Sequence, residues 1–363
     1  MNFKLLSLLV LCAASFQVSA QIFHLKIDPT YGGVADPTFR AFIDSQILTI
    51  ENDINKDLPN APPKRLMEGM ANSSVMAGKG IGNDYASGME VFLIGGGVGV
   101  GADLEKDKNT KSSISGVGVA PGVIVGMNLG FMDTSKILGM DTNRLNLYMN
   151  FMNYNYNKVL STKVGEESDV KLGMQSMGVH FRYDWIQGNN SKWLGWGGVK
   201  FHFGYEYNKT DITFNSTINK TVNQTSSGGE TITGNISGRP VATINSATHS
   251  IPLELSTDIR LLYILSIYTG VGADYNMGSA KGKGALNSTP SNVTCTGGNC
   301  GGGATIGVTP EANINATGKV NPFLYRGFAG VQINLPFIRI FGQVDKALGN
   351  DLIGATVGVR FVY

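Results

Sequence analysis

Period-two alternation is the feature that most restricts what this chain can become. In LGWGGVKFHFGYEY, Val199, Phe201, Phe203, Tyr205 and Tyr207 alternate with Lys200, His202 and Glu206; in GVHFRYDWI, Val179, Phe181, Tyr183 and Trp185 alternate with His180, Arg182 and Asp184. Successive side chains of a strand point to opposite faces, so each segment has one apolar face and one ionisable face. A strand in a soluble sandwich turns its polar face to solvent and its apolar face to a second sheet. In a membrane barrel, lipid takes the apolar face and a polar lumen takes the other. The polar stretch QGNNSK joins the two runs as a turn, which makes them a membrane hairpin.

Extended over the chain, the same reading gives ten candidate strands, near 90–102, 116–130, 143–156, 171–186, 194–208, 246–259, 261–275, 321–334, 336–345 and 352–363. With both barrel ends in the periplasm, the long connections 103–115, 157–170, 209–245, 276–320 and 346–351 fall outside and mostly short turns fall inside, as expected of these barrels. Alternation in TDITFNSTI and ETITGNIS, within 209–245, would raise the count to twelve. The expected fold is therefore an all-β, antiparallel transmembrane β-barrel of about 10–12 strands, with an N-terminal amphipathic helical segment. Only 15% of residues are charged and 48 are glycine. The most apolar stretch, Gly116 to Met132, is interrupted by Asn128 and thinned by glycine, so a helical membrane span is disfavoured. Aromatic girdles are expected at Tyr154, Tyr156, Tyr205, Tyr207 and Tyr275 on the outer side and at Phe131, Trp185, Trp193, Phe337, Phe361 and Tyr363 on the inner side.

Residues 1–20 have the grammar of a signal peptide: Lys4, an apolar run from Leu5 to Leu11, and Val18-Ser19-Ala20 as the cleavage site. Leu11 before Cys12 argues against a lipoprotein signal. Residues 21–88 are expected to form a helical segment able to plug the barrel, and 89–363 the barrel itself. Asp36-Pro37 provides a helix start, and Phe39, Phe42, Ile43, Ile47, Ile50 and Ile54 recur at helical spacing, with a second, shorter helix after Pro62-Pro63 using Leu66, Met67 and Met70. The first two strands turn Gly95, Gly97, Gly99, Gly101, Gly116, Gly118, Gly122 and Gly126 to one face. Such a row suits either a closely packed helix, expected to be the one over 37–57, or barrel curvature. Pro121 should mark a bulge or an end of pairing.

The residues assigned to the lumen are of both signs: Arg144, His180, Arg182, Asp184, Lys200, His202, Glu206, Glu254, Arg326, Arg339 and Arg360, with Arg260, Asp258, Asp274 and Asp345. A selective ion pore would show rings of one sign, whereas a mixed set suits mutual ion pairing. His180, Asp184, His202 and Glu206 can be arranged as a catalytic cluster, but Asp184 should lie near the inner end and Glu206 near the outer. No H-E-x-x-H spacing and no G-x-S-x-G occurs, and GIGNDYASG and GGGVGVGAD lack the βαβ setting of a phosphate loop and read as barrel glycines. No catalytic, metal or cofactor site is assigned, and no cofactor is expected. A net charge of +2 with no basic block excludes nucleic acid as a partner. Cys295 and Cys300, in the largest expected outer loop, should form a local disulfide in an oxidising compartment.

The last strand, LIGATVGVRFVY, places Val357, Val359, Phe361 and Tyr363 on one face and ends on an aromatic residue. It resembles the terminal signal strand of bacterial outer-membrane proteins, which implies the barrel-assembly machinery and outer-membrane lipid as partners, and the outer membrane of a Gram-negative-type bacterium as the location. SSVMAGKGIGNDYASGMEVFLIGGGVGVGADLEKDK at 73–108 and LGMDTNRLNLYMNFM at 138–152 are similar to the Lsa36-type surface proteins. That resemblance implies surface exposure and, for some members, adhesion to host matrix. The leading expectation is a surface-exposed barrel with a structural or adhesive role through its outer loops, where an extracellular ligand would bind. A porin or small-solute channel is the alternative, and an outer-membrane enzyme is the third reading.

Overall fold

A computed structural model of the protein describes residues 23–27, 63–86, 91–106, 112–132, 135–137, 139–163, 166–189, 193–216, 218–225, 229, 231–288, 291–296 and 304–363. Ten strands form the wall: β1 (Phe92–Lys106), β2 (Ser112–Asn128), β3 (Leu145–Lys163), β4 (Glu166–Asn189), β5 (Leu194–Ser216), β6 (Thr231–Leu261), β7 (Leu265–Ser288), β8 (Phe323–Asn334), β9 (Ile338–Ala347) and β10 (Leu352–Val362). Each pairs antiparallel with the next, and β10 pairs with β1 over Leu352↔Asp103 to Val362↔Leu93, which closes the ring. A closed antiparallel sheet satisfies its backbone without an edge, the condition for a β-structure to cross lipid.

Alternation decides which side chains meet lipid. Outward residues such as Val271, Tyr325, Val344, Val357 and Phe361 are exposed, while Ser256, Glu254, Arg326, Gln343 and Thr356 on the other face are buried. Trp185, Trp193, Phe337 and Tyr363 gather at the end with short turns, and Tyr205, Tyr275, Phe323 and Tyr325 at the other. Tyr154 and Tyr156 do not join that outer girdle. They alternate with exposed Asn153, Asn155 and Asn157, so they face inward, with rings stacked 6.5 Å apart. The polarity pattern of β3 inverts beyond Phe151, where the strand leaves the apolar belt.

The segments expected as long outer loops are largely strand. β6 alone has 31 residues, roughly 100 Å at about 3.3 Å per residue, of which only about 9–11 residues are needed to cross a bilayer. The rest continues the wall outward. Ile218–Thr225 carries on from β5 and pairs with β6, and Ala304–Lys319 pairs with β7 and with Ser291–Thr296. The alternation within 209–245 therefore lengthens existing strands instead of adding a hairpin to the ring, and ten is the strand number.

One ladder of the ring is short and one turn is strained. β2 pairs with β3 only from Val123↔Phe151 to Asn128↔Asn146, stopping short of Pro121, whose missing N–H cannot serve a ladder. The turn from β6 to β7 holds Leu262 and Tyr263 at φ of 53° and 60°. The helix over 37–57 and the signal peptide lie outside the described residues.

Candidate functional site

The lumen is occupied by the chain that precedes β1. Helix α1 (Pro63–Ala77) buries Leu66, Met67, Met70 and Val75 against Ala280, Ala316 and Val320 at the outer end of the barrel. Arg65 ties its first turn to Asp103, with the guanidinium nitrogens 2.9 and 3.1 Å from the carboxylate oxygens. The glycine row of β1 and β2 is the surface it lies on. A Cβ at Gly99 would stand 2.0 Å from the Ala77 carbonyl oxygen, at Gly101 2.2 Å from that of Ser73, and at Gly116 2.1 Å from the Gly69 carbonyl carbon. These glycines exist for close backbone approach, and their partner is α1 rather than the helix expected over 37–57. Nearer the inner end the same face accommodates side chains: Ile81 against Gly122, Tyr148 against Gly126 and Arg360 against Gly95.

Below α1, residues 78–86 run down the barrel axis and are almost fully buried. Gly80 and Gly82, expected as wall glycines, belong to this descending segment. Gly80 has φ of +80°, and a Cβ at Gly82 would be 2.3 Å from the His180 ring. Lys79 donates to Glu206 at 2.7 Å and to Ser250 at 2.8 Å and lies 3.5 Å from Asp274, while its carbonyl accepts from Thr356 at 2.6 Å. Asp84 pairs with Arg339 at 3.2 Å and Arg360 at 3.4 Å, and its carbonyl accepts from Arg182 at 2.7 Å. Asn83 donates to Glu254 at 3.3 Å and accepts from Arg360 through its carbonyl. The Tyr85 hydroxyl donates to Glu254 at 2.8 Å and the Tyr85 carbonyl accepts from Lys200 at 2.6 Å, while its ring packs on Tyr268, Phe328 and His202.

The wall charges complete the network. Arg326 reaches Asp274 at 2.9 Å, Asp345 at 2.6 Å and Glu254, and Lys200 pairs with Asp258. Most residues assigned to the lumen from sequence are brought together here, and Arg260 joins them at the margin through Asp258 at 3.2 Å. Arg144 is the exception: it ends the short 3-10 turn Thr142–Arg144 at the inner rim and is only half-buried, because β3 begins one residue later. The residues arranged as a catalytic cluster are divided. Asp184 pairs with Arg182 at 3.2 Å, His202 meets Ser256 at 2.9 Å, and His180 is 3.8 Å from a Glu206 already engaged by Lys79. Lys79, Asn83, Asp84 and Tyr85 were missed from sequence. The available signal was a Lys and an Asp between glycines in a stretch with no strand alternation. Cys300 lies outside the described residues, and with it the expected bridge to Cys295.

A closed sheet, an apolar exterior and a buried polar interior are the architecture of an outer-membrane β-barrel. A family model described as Lsa36-like matches residues 17–363. The chain belongs to the Lsa36-like family. Among solved structures, this Lsa36-like barrel is similar to the transport unit of the autotransporter AIDA-I from Escherichia coli (8% identity, 84% of this chain and 100% of that one, TM-score 0.34). It is also similar to the toluene transporter TbuX of Ralstonia pickettii (10% identity, 82% and 99%, TM-score 0.24) and to the attachment invasion protein Ail of Yersinia pestis (10% identity, 75% and 99%, TM-score 0.18). No curated protein matches the chain in sequence.

Proposed function

We propose that this protein is a non-conducting surface barrel that presents its outer strand extensions as a binding platform. The observation that carries the reading is the plug. Lys79 and Asp84 each face opposite charges of the wall in a region where Arg326, Asp274, Glu254 and Asp345 are at most 2% exposed, so no continuous polar path is left among these groups. A buried charge deprived of its partner costs several kcal/mol, so the segment is held in place by many such contacts at once.

The extensions supply the surface. On their outer face, Lys281 and Lys283 of β7 lie across from Thr317 and Asn315, with Lys319 beside Ser279 on the neighbouring strand and Arg239 further out on β6. These four cations are exposed. Their described cross-strand neighbours are Asn, Thr and Ser, so a ligand of acidic character fits this face. The channel reading makes the opposite prediction at the lumen. In planar bilayers the folded protein should give no single-channel steps, and deletion of 63–86 should produce them; steps from the intact protein would establish the channel. Retention on sulfated dextran, reduced by Lys281→Glu and Lys283→Glu together, tests the platform.

A further inference from the structure

We infer that the chain ahead of β1 crosses its own barrel from the outer mouth to the inner one, so that the strand Phe23–Ile27 stands on the outer side and closes part of an edge of the outer sheet. Three independent placements define the path. The start of α1 is at the outer end: Gly282 and Gly318 touch Met67 and Glu68, at positions of β7 and Ala304–Lys319 beyond the Tyr275 and Phe323 girdle. Residues 79–85 then meet, in descending order, Thr356 and Glu206, Arg360 and Arg339, and Lys200 and Tyr268. β1 begins at the inner end, where Phe92 exchanges backbone hydrogen bonds with Tyr363. The direction of travel is outside to inside.

The strand Phe23–Ile27 agrees with that path from the other end of the segment. It pairs antiparallel with Val308–Ala312, from Phe23↔Ala312 to Ile27↔Val308, at a part of Ala304–Lys319 farther from the membrane than the pairing with β7. Both flanks of the chain between Ile27 and Pro63 are therefore on the outer side. A strand edge left unpaired is a template for other chains, and here the protein covers some of it with its own backbone.

The test uses the full chain with Cys295→Ser and Cys300→Ser, into which His24→Cys or Lys26→Cys is introduced separately. Asn350→Cys, in the exposed connection before β10, marks the outer side, and Leu335→Cys, in the turn before β9, the inner side. A membrane-impermeant maleimide applied to intact cells should label His24→Cys and Lys26→Cys to within about twofold of Asn350→Cys and leave Leu335→Cys unlabelled. Two neighbouring positions guard against one variant failing to assemble, which heat-modifiable gel migration reports. Labelling at 24 and 26 that appears only after permeabilisation, together with that at 335, would overturn the inference. The result is independent of whether the platform binds any ligand.

Discussion

Lys79 shows how much of the interior rests on one side chain. It is fully buried and contacts two carboxylates. Lys79→Met keeps much of the volume and leaves Glu206 and Asp274 short of a cation, so unfolding in lipid should become easier by about 3–5 kcal/mol. A change below about 1 kcal/mol in that measurement would show that other groups hold the plug. Thr356 and Val357 are adjacent and face opposite ways. A charge at Val357, 56% exposed on the lipid side, should cost about 2–4 kcal/mol if it lies near the bilayer midplane. From sequence, Thr356 should accept a charge more readily. The structure instead buries it against the plug, donating to the Lys79 carbonyl, so Thr356→Asp should release the plug and appear as conductance, which Val357→Asp should not. At the inner rim, positive φ at Leu262 and Tyr263 costs about 1–2 kcal/mol per residue for L side chains other than Gly, Asn or Asp. Replacing the pair with Asn-Gly should raise the unfolding midpoint in lipid.

At the scale of elements, what the sequence disclosed follows from where periodicity is strong. Ten strands, their alternating faces and the helix after Pro62-Pro63 were legible, because lipid on one side and ionisable groups on the other impose an unambiguous two-residue repeat. The lengths of β6 and β7 were not legible. Outside the bilayer both faces of a strand become polar, and Asn, Ser, Thr and Gly in a paired extension look the same as in a loop. The descending segment 78–86 was hidden for a different reason. It has no regular secondary structure, and its Lys and Asp make sense only against strands more than a hundred residues away. The glycine row was legible as a packing face, but the longer apolar stripe over 37–57 pointed to that helix as its partner, whereas α1 is the helix that lies on it. Gly116→Val and Gly118→Val should exclude α1 while leaving the outward faces of β1 and β2 unchanged; the expected outcome is a heat-modifiable barrel that conducts. Silence in bilayers from that folded variant would mean that the helix tolerates a displaced seat.

For the whole molecule, the division between membrane-embedded wall and outer extension predicts separable losses. Removing the paired extension from Ile218 to Arg239 takes away one of the four platform cations and no residue of the apolar belt, so heat-modifiable migration should persist while retention on sulfated dextran falls. Removing Phe361 of β10 and Tyr363 just after it should have the opposite effect. That strand closes the ring against β1, and an open edge in lipid is not tolerated. The short ladder between β2 and β3 bears on how the ring comes apart. Pairing from Gly238 to Leu261 binds β6 to β7, whereas only Val123 to Asn128 bind β2 to β3. The ring is therefore a chain with one weak link. On warming, amide hydrogens of that ladder should exchange with solvent deuterium before those of the other nine, and the first partly open species should be a sheet split along this seam, with α1 still held on the β2 side.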